Sequence, residues 1–188
     1  MTNSSLKTFS LIAGPMVVLH VLVLRSLGQP LFCRCGQIKL WEGDILSSGT
    51  SQHLADWYSF THIEHGFLFY LLLWIAAPRL RPAQRLLIAI GLEALWEILE
   101  NSPFVIQAYR KQALAQGYVG DSIVNSLSDL VMMALGFALA GLLPVPAIVA
   151  LVIAIELGLA LTIRDNLTLN IMNFLLPLEE VHHWQAGL

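Results

Sequence analysis

Charge is scarce in this sequence. Asp, Glu, Lys and Arg together make up 12% of its 188 residues, where a soluble domain carries about 25%. That shortage, with 56% hydrophobic residues and a mean hydropathy of +0.69, excludes an ordinary water-soluble domain. Cysteine is scarcer still. Cys33 and Cys35 are the only two, so neither a disulfide framework nor a four-cysteine zinc site can be built. A ring closed through Cys-x-Cys is small and strained, so a stable bridge between the pair is not expected. Metal ligation, redox work and plain buried thiols all remain open for them. There is no basic run, no repeat and no low-complexity tract, so nothing points to nucleic acid.

What is present is a series of apolar runs, each near the roughly 20 residues that cross a bilayer. They fall at residues 9–27, 62–77, 84–100, 121–142 and 146–163. The fold class expected is all-α: one polytopic membrane bundle of about five transmembrane helices, a single domain over 1–188, with lipid as its surroundings. The first run lacks an A-x-A cleavage site and carries Arg25 near its end, which favours an uncleaved span over a signal peptide. His20 within it reads as a packing histidine. Residues 28–61 form a long extramembrane loop whose Trp41, Trp57 and Tyr58 suit a membrane interface. The last residues, from Arg164 on, are too short to cross once Pro177 divides them. They are expected to lie at the interface or fold back on the bundle.

The short turn at residues 78–85 holds Arg79, Arg81 and Arg85 and no acid. By the positive-inside tendency it faces the cytoplasm, which puts the N-terminus inside and the C-terminus outside. Five alternating spans then bring the polar ends of the runs into one outer layer.

That layer holds the chemistry. Glu93, Glu97 and Glu100 fall at i, i+4 and i+7 of a helix, and Asp121, Asn125 and Asp129 at i, i+4 and i+8, each set on one face. Asp121 follows a glycine and reads as a helix cap. Carboxylates inside apolar helices are kept where they face a wet cavity, a partner or a bundle interior. The string HLADWYSFTHIEH adds Asp56, His62 and His65. Imidazole and carboxylate at these spacings suit a divalent ion such as zinc, manganese or iron. The expected ligands are His62, His65, Asp56 and Glu97, with Asp129 or Glu100 as general base for an attacking water. The bland alternative makes them interfacial polar residues bonded to the loop. Arg164 and Asp165 are expected to pair and orient the tail.

The blocks CRCGQIKLWEGD, SQHLADWYSFTHIEHGFLFY, EALWEILEN, GYVGDSIVNSLSD and RDNLTLNIMNFLLPLEEVHHWQ resemble the signature stretches of the bacterial family with domain of unknown function number 2585. The resemblance covers about residues 30 to 185. It implies a multi-pass protein of the bacterial inner membrane, with the outer layer periplasmic, and it supplies no activity. The function expected from the residues is a metal-dependent hydrolase or transferase acting on a lipid or envelope substrate. The competing expectations are a cation- or proton-coupled transporter, and a scaffold docking a protein partner or a second copy through loop 28–61.

Overall fold

The computed structural model describes residues 3–187, with side chains from Lys7 onward. Its elements are α1 (Asn3–Ser26), α2 (Ser59–Ala76), α3 (Pro82–Glu100), α4 (Pro103–Tyr109), α5 (Ile123–Leu142), α6 (Val145–Ile163), α7 (Leu167–Leu175) and α8 (Glu179–Ala186). Among the described residues there is no strand; one isolated bridge joins Glu42 and Asp56. Local sequence sets the helix starts. Proline occupies the first turn of α3, α4 and α6, where its missing N–H is no loss. Ser102, Ser122 and Asn166 cap α4, α5 and α7, each accepting a backbone N–H from three residues on. Asp121 is therefore not the cap of α5: Ser122 takes that place, which frees the aspartate for the site.

The α2–α5 pair is the centre of the bundle. A Cβ added to Gly136 would run into the backbone of Ile63, and one added to Gly66 into that of Met133 and Phe137. The two helices thus touch backbone to backbone, the small-residue contact by which helices associate where lipid supplies no hydrophobic drive. Towards the arginine turn, Leu73, Ala89, Met133 and Phe137 form a dry core, flanked by Phe69, Tyr70, Leu86 and Ile90. There Arg85 spends its guanidinium on the carbonyls of Ala77 and Pro78. α1 packs by His20, whose Nε2 lies 2.8 Å from Ser126 Oγ, as expected of a packing histidine.

Among the described residues, three helices are long and apolar enough to cross a membrane: Lys7–Ser26, Ile123–Leu142 and Val145–Ile163. The two other expected spans, α2 and α3, are helical but do not meet that measure. The reason is visible in their composition: His62, Glu64 and His65 on α2, and Arg85, Glu93, Glu97 and Glu100 on α3.

All the polar connections meet at the other end. Gln52 Nε2 donates to the Gly120 carbonyl at 2.7 Å, Ser122 N to the Ser51 carbonyl, and Ile123 N to the Pro30 carbonyl. The tail folds back onto this layer. Arg164 donates to the Trp184 carbonyl, while Asp165 accepts from Tyr58 and Gln185. Arg164 and Asp165 both hold the tail, but through these partners rather than as a pair. Trp41 and Trp57 stack edge to face at 5.1 Å. Tyr58 does not join them, because its hydroxyl is turned inward to Asp165, 2.9 Å away.

Candidate metal centre and cavity

Two histidines at i, i+3 on α2 share one face, and that face meets the acidic face of α3. Nδ1 of His62 lies 2.5 Å from Glu93 Oε1, and Nδ1 of His65 lies 3.1 Å from Glu93 Oε2. One fully buried carboxylate therefore orients two imidazoles through the same ring atom, which leaves each Nε2 for other work. Glu97, one turn on, is 1% exposed. Its Oε1 is 3.5 Å from His62 Nδ1, and neither of its oxygens accepts a hydrogen bond. From α5, Asp129 places Oδ2 3.8 Å from His62 Nε2 and accepts from Ser59 Oγ at 3.1 Å. The two acidic faces thus meet through His62.

Ligand-type atoms of His62, His65 and Glu93 lie within 4.8 Å of one another, as do those of His62, Glu97 and Glu100. Both groups turn on His62. Of the four expected ligands, the structure brings His62 together with His65 in one group and with Glu97 in the other. Asp56 lies beside them on the cavity wall with both oxygens engaged. Its Oδ2 accepts from Ser51 N at 2.7 Å and its Oδ1 from Tyr58 N at 2.8 Å. Asp56 thereby ties the loop to the head of α2. Burial pushes its carboxyl above the usual range, and these amides draw it back. The expected general bases, Asp129 and Glu100, both line the cavity.

The cavity holds about 320 Å³, room for a small molecule or a lipid headgroup. Its roof is the loop before α2, from Ile45 to Ser51, and its far wall is the segment Gln112–Val119. Asp121 is fixed at its edge by a reciprocal pair: Asn101 Nδ2 donates to Oδ2 at 2.6 Å, and Asp121 N donates to Asn101 Oδ1 at 2.7 Å. Gly120 before it has φ +90°, and a Cβ there would strike the side chains of Gln29 and Asn101. Only glycine fits this corner.

Sequence reasoning had Glu93 on the acidic face, as a partner for Asp129 or a step in a cation or proton relay and not as the residue that orients the histidines, and it overlooked Tyr109 and Tyr118. Glu93 was findable from its i, i+4 spacing to Glu97. The tyrosines carry no local signal, since each reaches the cavity from a different turn of the α4 region. On the roof, Cys33 and Cys35 are bonded to each other, with Cα atoms 5.2 Å apart. This corrects the expectation that so small a ring would stay open. Ligand atoms of this pair and of His53 also lie within 4.8 Å. Below the centre, Glu64 is buried with neither oxygen accepting a hydrogen bond. Its neighbour is Glu156, which accepts from Leu167 N at 2.9 Å.

The model of the family described as protein of unknown function (DUF2585) matches residues 24–187. A protein of Paracoccus denitrificans named "UPF0314 protein" is 49% identical over 92% of this chain and 90% of its own length. Its namesake in Sphingopyxis alaskensis is 47% identical over 96% of both chains, and one in Rhizobium meliloti is 47% identical over 92% and 88%. No solved structure matches the chain.

Proposed function

The chain belongs to the DUF2585 family of uncharacterised bacterial proteins, and we propose that it is a membrane-embedded, metal-dependent hydrolase or transferase whose substrate enters the cavity over His62. The observation that carries this reading is Glu97. A carboxylate that is 1% exposed, with no donor on either oxygen, is among the most costly groups a helix can bury. It sits beside His62, which with His65 is already oriented by a second carboxylate, Glu93. A divalent cation removes that cost and uses the residues present. His62, Glu97 and Glu100 would hold it, with Glu93 orienting the imidazoles of His62 and His65. Bound there, the ion would supply Lewis acidity. Asp129, whose Oδ1 is anchored by Ser59, then takes the proton of a water on the cavity floor.

The roof loop supports an enclosed site over a docking surface, because Ser51, Gln52, His53 and Asp56 are all buried in it. With the dense arginines of turn 78–85 at the cytoplasmic face, the cavity at the other end of the bundle would lie on the periplasmic side of the inner membrane, and α2 and α3 would complete five spans. The test is metal analysis of the purified chain after loading with zinc, manganese or iron and dialysis. About one ion per chain is expected, lost in both His62→Ala and Glu97→Gln. A wild-type protein that retains no ion after loading would overturn the reading.

A further inference from the structure

The cavity walls contain no lysine or arginine. Three basic side chains of the surrounding layer are committed elsewhere: Arg110 donates to the Tyr118 carbonyl, Arg164 to the Trp184 carbonyl, and Lys39 to Glu42. Carboxylates, by contrast, reach the walls from four directions: Asp56 from the loop, Glu100 from α3, Asp121 from before α5 and Asp129 from within it. Asp129 is 4% exposed, and its Oδ2 accepts no hydrogen bond. An anionic ligand would meet these carboxyl groups and no lysine or arginine to offset it.

Tyrosines form another part of the wall. Tyr109 and Tyr118 stand edge to face, ring centroids 5.3 Å apart and planes at 77°. Their hydroxyls are tied off, Tyr109 to Asn170 Oδ1 and Tyr118 to Asp121 Oδ1. The rings are therefore held as two nearly perpendicular walls, and Tyr58 lines the same space. Fixed aromatic rings beside carboxylates, with no lysine or arginine among the described lining residues, make the environment that receives an organic ammonium group. Apolar residues of the rim, Ile45, Leu46 and Val119, suit its methyl groups or an adjoining chain.

We propose that the ligand of this cavity is an organic ammonium ion, either the headgroup of an amine-bearing lipid or a free amine. It would be held between the Tyr109–Tyr118 corner and Asp121, outward of His62. This deepens the functional reading above by naming the class of its substrate, but the recognition is independent of the metal. An enzyme whose reacting bond lies toward His62 would then anchor the substrate by its positive end.

The test uses the full chain in a maltoside detergent, titrated calorimetrically with choline and, separately, with its uncharged isostere 3,3-dimethylbutanol and with inorganic phosphate. Choline is expected to bind saturably and at least tenfold tighter than the isostere, with phosphate silent. Tyr109→Phe, which keeps the ring, should retain binding. Tyr109→Leu should weaken it roughly tenfold, the weight of one cation–π contact. Equal affinity for the uncharged isostere, or binding of phosphate in place of choline, would overturn the proposal. So would an undiminished affinity in Tyr109→Leu. Repeating the titration with a chelator separates the two claims: saturable choline binding without metal sustains this one even if the metal reading fails. Nanodiscs of phosphatidylethanolamine against phosphatidylglycerol then identify the source. Loss of choline binding only in the ethanolamine discs assigns a lipid headgroup, and unchanged binding in both assigns a free amine.

Discussion

The same three helices, α2, α3 and α5, build two interiors of opposite kind. Toward the arginine turn they enclose Leu73, Ala89, Met133 and Phe137. Toward the loops they enclose His62, Glu93, Glu97 and Asp129, every one less than a tenth exposed. The glycine contact between Gly66 or Gly136 and the facing backbone lies between the two halves. The dry half is held by shape, and its failure modes are cavities and clashes. The polar half contains groups that are individually unfavourable, and it persists because the dry half and the glycine seam hold the helices in register around it. Stability and site chemistry are therefore separable along one helix bundle.

The largest way to break this comparison is at the seam itself. Gly136→Leu puts a side chain where the Ile63 backbone lies. It should destabilise by more than about 3 kcal/mol, and both halves should be lost together in an unfolding titration. Met133→Ala, at a fully buried position of the dry half, should cost about 2–3 kcal/mol by leaving a cavity. If the halves are separable, metal binding per folded molecule should stay unchanged. A parallel loss of metal would show that the polar half is not an independent unit.

Glu97→Gln should have the opposite sign. In metal-free protein it replaces a buried carboxylate that no donor reaches by a neutral amide, so the chain should become more stable by about 1–2 kcal/mol while ion binding disappears. A destabilised Glu97→Gln would mean that the negative charge is structural, for instance in pairing with a charged His62.

The smallest effect concerns the tail. Burial raises the Asp165 carboxyl from 3.8 to about 6, against the pull of its hydrogen bonds from Tyr58, Asn166 and Gln185. The folded state thus binds this proton more tightly than the unfolded chain does. The resulting stability is complete below about pH 4 and lost as pH rises through 6. Going from pH 7 to pH 5 should therefore stabilise the docked tail by about 1 kcal/mol, read as slower proteolysis between α6 and α8. Asp165→Asn should flatten that dependence. The pH dependence of Asp165→Asn would match the wild type only if another group were responsible.

Much of the fold was legible. Composition alone required an all-α apolar bundle, since few charges and long apolar runs leave no other way to satisfy a backbone in lipid. Helical spacing put Glu93, Glu97 and Glu100 on one face and Asn125 with Asp129 on another, because an α-helix repeats every 3.6 residues whatever surrounds it. His62 and His65 followed by the same rule. The expectation that the polar ends of the helices meet agrees with the structure, where His62, Glu93, Glu97 and Asp129 come together at one end of the bundle.

Tertiary structure decided the rest. Glu93, not Asp56, holds the histidines, because Asp56 is drawn to the amides of Ser51 and Tyr58, a choice made by a loop with no periodic pattern. Ser122 caps α5 and Asp121 turns to Asn101, a contact across 20 residues that no local preference encodes. Tyr109 and Tyr118 meet only because the short helix α4 stops and the chain returns before Gly120. Between Glu93 and Asp129, spacing fixed which carboxylates share a face. What each one does followed from the neighbours that packing placed against it, because a buried charge takes its character from its partners and not from its position in the chain.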